Sequence, residues 1–236
     1  VVEVNSETDF VAKNEIFQEY VTDAAIVALR SNGDVCEMKK FNCPKCGKTF
    51  EERLTDMIAK IGENMNLRRA KMIEVNDGVV ASYIHNAAGT NIGKIGVLVA
   101  LESKADKAKL AELGKHIAMH VAASNPLFLN VAAVDPAAVE HEKAIYSEQA
   151  KASGKPENII EKMVEGRVRK YYDEVVLEEQ AYIMDPDKKV KQVVADTAKE
   201  LGADIKIADF ACFKLGEGLQ KKEEDFAAEV ASQLNK

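Results

Sequence analysis

The chain has 236 residues, 47% apolar and 30% charged, with a formal net charge of −7. That is an ordinary globular composition, long enough for one large domain or two small ones with ample core. The acidic balance argues against broad nucleic-acid binding, which needs clustered Lys and Arg to displace counterions, and no apolar run approaches the ~20 residues that cross a bilayer.

Residues 1–5 read as a strand, and Val1 already stands inside its pattern, so a natural start is expected upstream; the opening residues carry no secretory-signal pattern. A polar corner follows, with Phe10 beside the carboxylate of Asp9. Such an aromatic is either a staple for the protein's own core or a probe for a partner's pocket. From Asn14, apolar residues recur at Ile16, Phe17, Tyr20, Val21, Ala24 and Val27, a wide helical stripe ending near Ser31-Asn32-Gly33. Residues 32–48 lose periodicity. Thr49 with Glu52 three residues on predicts a capped helix, carrying Leu54, Met57, Ile58 and Ile61 to a stop at Gly62.

Residues 69–75 and 79–85 flank Asn76-Asp77-Gly78, a hairpin signal because Asp-Gly tolerates positive φ. With residues 95–101 they predict a three-stranded antiparallel meander. A helix over residues 104–123 would cover it through Leu110, Leu113, Ile117 and Val121, broken by Asn125-Pro126. Asp135-Pro136 starts another helix, expected to run to Ser153. Gly154-Lys155-Pro156 stops it, and a further helix runs to about Tyr172. Two helices of roughly 17 residues so joined make a hairpin roughly 25 Å long. Their sparse apolar positions fit a projecting antiparallel coiled coil. A helix at 188–201, a strand at 205–215 and a helix at 222–234 complete the chain. The expected class is α+β: two small antiparallel-sheet subdomains with covering helices, a protruding helical hairpin and a carboxyl-terminal helix. The expected boundaries are 1–76 for the first subdomain, 77–134 with 173–215 for the second, 135–172 for the hairpin and 216–236 for the last module.

Little here points to covalent chemistry. Gly89-Thr90-Asn91-Ile92-Gly93-Lys94-Ile95 resembles a phosphate loop but has three residues between its glycines and lacks the Ser or Thr after Lys94, so a hairpin turn is the better reading. His116 and His120 share a helix face without the intervening Glu of a zinc protease and are expected solvated or at a core edge; His141 carries no pattern. His85 ends a strand at a loop, where a partner can reach it. Cys43-Pro44-Lys45-Cys46-Gly47-Lys48 has the spacing of a zinc knuckle, with Cys36 a third candidate thiolate and no second Cys-x-x-Cys; Cys212 lies far along the chain. Four cysteines without an extracellular pattern point to a reducing compartment. A zinc-bearing adaptor stays open beside any other reading.

Longer strings are more specific. Val4-Asn5-Ser6-Glu7-Thr8-Asp9-Phe10-Val11-Ala12-Lys13-Asn14 resembles the hallmark of translation elongation factor Ts. So do Ala59-Lys60-Ile61-Gly62-Glu63-Asn64-Met65-Asn66-Leu67-Arg68-Arg69, Ser82-Tyr83-Ile84-His85 and His116-Ile117-Ala118-Met119-His120-Val121-Ala122-Ala123. Glu161-Lys162-Met163-Val164-Glu165-Gly166-Arg167, Gly216-Glu217-Gly218 and Asp225-Phe226-Ala227-Ala228-Glu229-Val230 follow in family order. The resemblance implies a guanine-nucleotide exchange factor for elongation factor Tu, cytoplasmic and of bacterial type, with no covalent chemistry and no required cofactor. By resemblance, Thr8, Asp9, Phe10 and Val11 enter the partner's nucleotide-binding domain, with Phe10 as a wedge near its magnesium and phosphate site and Asp9 hydrogen-bonding the docked corner. Ile61, Gly62 and His85 match further contacts, and the 135–172 hairpin and the carboxyl-terminal helix match segments that grip the partner. The family's small amino-terminal helical domain is matched by no part of this chain. The loop at 34–48 lies outside the family pattern, so zinc on Cys36, Cys43 and Cys46 is an expectation from spacing alone.

Overall fold

Short-range signals place most of the helices. In a computed structural model, which describes residues 1–43, 46–151 and 156–219, β1 (Val2–Ser6) leads into the single turn α1 (Asp9–Ala12) and then α2 (Glu15–Arg30). Asn14 caps α2 by accepting from the Ile16 N–H, satisfying one of the helix's orphan donors. The aperiodic stretch after it holds a helix the sequence pattern did not reveal, α3 (Val35–Lys40), capped by Asp34 and anchored by the fully buried Met38; six residues are too few to show a period. The reciprocal Thr49–Glu52 capping box starts α4 (Phe50–Ile61), and Gly62 ends it at φ +82°. The three longer helices bury one contiguous core built on Phe17, Tyr20, Met38, Phe50, Leu54 and Met57, with the Tyr20 and Phe50 rings stacked 4.4 Å apart.

The strand predicted at 69–75 begins earlier and pairs elsewhere. β2 (Met65–Ala70) is antiparallel to β1, so it is no member of the expected meander. The larger sheet has the order β3 (Gly78–Gly89), β4 (Ile92–Glu102), β7 (Lys206–Lys214), all neighbours antiparallel. Asn76-Asp77-Gly78 is therefore a crossing between two sheets. Gly78 is required there for another reason: a Cβ would collide with the Leu101 carbonyl of the next strand. The hairpin turn is Thr90-Asn91, with Asn91 at φ +57°, in the segment read as a turn rather than a phosphate loop. α5 (Lys107–Ser124), capped by Asp106 and ended by left-handed Asn125, covers one sheet face through Leu113, Ile117 and Val121. The other face lies against the amino-terminal half, where the Arg69 guanidinium sits 4.3 Å from the Phe213 ring centroid and Lys71 pairs with Asp209 at 2.8 Å.

After α5, α6 (Pro136–Lys151) starts where Asp135 accepts from the Ala137 N–H. It packs on α7 (Glu157–Val175) around Val139 and Val168. Of the predicted stop at Gly154-Lys155-Pro156, Gly154 and Lys155 lie outside the described residues and Pro156 is the N-cap of α7, which runs three residues beyond Tyr172. A two-stranded ladder not seen in the sequence, β5 (Ala181–Tyr182) with β6 (Asp185–Lys189), precedes α8 (Val190–Leu201). Residues 215–218 form turns; the helix predicted at 222–234 falls outside the described residues. The class is α+β, and among the described residues no helix is long and apolar enough to cross a membrane.

His120, expected solvated or at a core edge, is 0% exposed. Its Nδ1 accepts the Ile183 N–H at 3.3 Å, which leaves the proton on Nε2, 2.9 Å from Gln180 Oε1. Burial depresses its pKa below 6.5, outweighing the opposing Gln180 bond. The unfolded chain then binds a proton that the native imidazole refuses, so stability falls as pH drops below about 6.5. Thermal melts between about pH 7.5 and 5 should show this decline, and His120→Gln should flatten it in that window. Equal slopes for the two proteins would remove His120 as the cause.

Candidate functional site

The corner after β1 exposes one aromatic and buries its neighbour. On the single turn α1, successive side chains diverge by about 100°. Val11, 4% exposed, points into the core, and Phe10 is left 85% exposed. The staple of this corner is Val11, while Phe10 touches little of its own protein. A large apolar side chain held in water at a helix-bearing corner is poorly explained by folding and well suited to a partner's pocket.

Two distant segments hold the turn. The Thr8 hydroxyl donates to the Glu63 carboxylate at 2.7 Å, and the Thr8 N–H donates to it at 3.0 Å. Glu63 directly follows Gly62, so this pair brings Thr8 beside Ile61 and Gly62. Ile61 is half-buried and packs on the first core, while left-handed Gly62 is exposed. Asp9 pairs with Lys94 of β4 at 3.1 Å. Both members of that pair are exposed, so it contributes well under about 1 kcal/mol and leaves the Asp9 carboxylate available to another donor.

His85, expected to end a strand at a loop, lies within β3, which continues four residues further to Gly89; it is exposed there, its Nδ1 3.1 Å from the Tyr83 hydroxyl. It stands opposite Ile95 in the ladder. Strand alternation therefore sends the His85 side chain to the face opposite that of Lys94, at the same end of the sheet. The structure thus gathers Thr8, Asp9, Phe10, Ile61 and Gly62 on one side of this end and sets His85 around its edge. The sequence did not single out Glu63 or Lys94. Nothing local marks either one, since their partners lie 55 and 85 residues away.

Behind the corner, β1 is fastened by Glu3, 4% exposed. A register shift between Glu3 and Val4 opposes Glu3 to Arg69 and Val4 to Leu67. That bulge lets both Arg68 and Arg69 reach the one carboxylate, which also accepts from Asn5 and from the Gly216 N–H. Burial would raise the Glu3 pKa, but these four donors outweigh it and hold the carboxyl below the ordinary value.

On either side of the cysteine loop, Asn42 and Thr49 form an antiparallel bridge. The Cys43 N–H donates to the Lys48 carbonyl, the Gly47 N–H donates to the Cys43 carbonyl, and Gly47 is left-handed at φ +68°. Cys43 is buried, and Cys36 and Cys46 are exposed. Among the described residues, no three His, Cys, Asp or Glu side chains converge to hold a metal ion. Cys212 lies half-buried on β7, where burial pushes its thiol pKa up.

Comparison with known proteins gives one consistent result. A family model described as "Elongation factor TS" matches residues 7–217. Curated relatives named elongation factor Ts include that of Sinorhizobium medicae, 54% identical over 232 residues, which cover 98% of this chain and 76% of the relative. That of Paramagnetospirillum magneticum is 55% identical over 98% of this chain and 74% of its own length. That of Rhodospirillum rubrum is 54% identical over all of this chain and 77% of its own length.

Proposed function

The chain belongs to the elongation factor Ts family, a family of translation elongation, and from that premise we propose that it binds elongation factor Tu and speeds release of its GDP by wedging Phe10 beside the nucleotide and magnesium site. The observation that carries this reading is the exposure of Phe10, 85%, on a turn whose other apolar residue is buried.

Exchange of this kind breaks no covalent bond and asks for no cofactor on this chain. It requires tighter binding to the nucleotide-free partner than to the GDP-bound one, and linkage makes the effect reciprocal: the factor by which this chain lowers GDP affinity is the factor by which GDP lowers its own. Burying Phe10 in the partner supplies about 1.5–3 kcal/mol, or roughly one to two decades of coupling. Further contacts must hold the wedge against GDP. Asp9 is positioned to hydrogen-bond the partner once it leaves Lys94, an exposed pair that is cheap to break. Ile61, Gly62 and His85 extend the contact around the same end of the molecule, and α6 with α7 and the carboxyl-terminal segment serve as outlying grips. Displacing groups around the partner's magnesium loosens the phosphates further.

The test is release of labelled GDP from elongation factor Tu with and without this chain. The expected result is acceleration that saturates with chain concentration. An unchanged release rate at saturating chain would overturn the reading.

A further inference from the structure

We infer that Gln18 is a positioning residue for exchange, fixing the Phe10-bearing turn to the tip of the β3–β4 hairpin. The inference rests on the wedge reading above. Gln18 stands in the first turn of α2, half-buried. Its carboxamide Nε2 donates to the Ala12 carbonyl at 2.9 Å and to the Ala88 carbonyl at 3.1 Å. Ala12 is the last residue of α1, so its carbonyl belongs to the helix end that lacks an intrahelical donor. Ala88 lies where the β3–β4 register shifts, between Ala87 and Gly89. One amide group thus spends both of its hydrogens tying the end of the exchange turn to a bulge in a remote hairpin.

The neighbouring residue is fitted to this arrangement. A Cβ built on Gly89 would lie 2.8 Å from Gln18 Oε1 and 3.2 Å from its Cδ. Gly89 has no positive φ, and a methyl there would push the end of the Gln18 side chain away from its two carbonyl acceptors. The same hairpin carries Lys94 to Asp9 and displays His85. Of the two ties between this turn and the β3–β4 hairpin, the Asp9–Lys94 pair is exposed and screened by salt, while the neutral Gln18 bonds keep their strength at physiological ionic strength. Phe10 can transmit force to a partner only if the turn beneath it does not rotate, and Gln18 opposes that rotation.

The test uses Gln18→Glu, which keeps the shape but sets carboxylate oxygens against two carbonyls. Saturated GDP release should fall at least about fivefold, the loss expected when two neutral hydrogen bonds are replaced by repulsion. Adding Gln18→Glu to Phe10→Ala should then lower the rate by less than about twofold more, because Gln18 acts through Phe10 and has nothing left to position. Multiplying losses would overturn the inference, as would a Gln18→Glu rate within about twofold of the unaltered chain while Phe10→Ala alone is defective. If Phe10→Ala alone exchanges normally, it is the wedge reading that fails. Should Gln18→Glu melt early, Gly89→Ala displaces the same carboxamide from the other side and is read by the same comparison.

Discussion

Phe10→Ala is expected to slow stimulated GDP release at least about tenfold while the melting temperature stays within a few degrees of the unaltered chain. The two halves of that expectation come from one number. At 85% exposure, the ring loses little burial in the free protein when truncated, so the folded state has little to forfeit. All of its apolar surface remains to be buried in a partner, and about 1.5–3 kcal/mol of burial corresponds to roughly one to two decades in rate or affinity. Val11 is the internal control. It is 4% exposed in the same turn, and Val11→Ala should lower the melting temperature where Phe10→Ala does not. Stopped-flow release of a fluorescent GDP analogue with parallel thermal melts checks both. Normal exchange by Phe10→Ala removes the wedge; a collapse of its melting temperature would instead make Phe10 a structural residue.

Glu3→Ala is expected to cost about 3–5 kcal/mol, the range measured when one partner of a buried charge network is removed. It leaves two guanidinium groups and the Gly216 N–H without their common acceptor. For a chain of this size that corresponds to a fall in melting temperature of roughly 10 °C. The loss should be felt most at residues 215–219, because Arg68 also donates to the Glu217 carbonyl and Arg69 to that of Lys214. Hydrogen exchange at those amides should quicken ahead of that in the core between α5 and the β3–β4–β7 sheet. Acid should act through the same carboxylate. The folded Glu3 pKa lies below its ordinary value of 4.5, so its stabilisation is fully present above about pH 4.5 and is lost as pH falls through the depressed value. Glu3→Gln should lack that part of the acid transition. An unaltered melting temperature for Glu3→Ala would mean that the network is compensated by solvent.

Legibility differed by the range of the interaction. Caps at Thr49 with Glu52 and at Asp135 could be read because each acts within three residues of its own position; the Asp106 cap was not singled out, and α5 begins at Lys107 rather than at residue 104. The left-handed stop at Gly62 could be read for the same reason. α3 was missed because six residues show no period, and because its anchor, Met38, is defined by what surrounds it in space. The hairpin signal at Asn76-Asp77-Gly78 misled because it reports a chain reversal and not which strand lies across from it; β2 found β1, about sixty residues earlier, as its partner.

The sequence by itself determined the α+β class, most helix limits, and, through its ordered strings of residues, the family and the corner that carries Phe10. It left open whether Phe10 or Val11 faces the core, what restrains Thr8, Asp9 and the end of α1, and why His120 is sealed from water. Those were decided by tertiary structure. Glu63, Lys94, Gln18 and Gln180 each act on groups distant in the chain, and which of two adjacent apolar residues is buried depends on the surface that the rest of the fold presents to the turn. Local hydrogen bonding is written in residues three or four apart; burial is a property of the assembled core, which no short window contains.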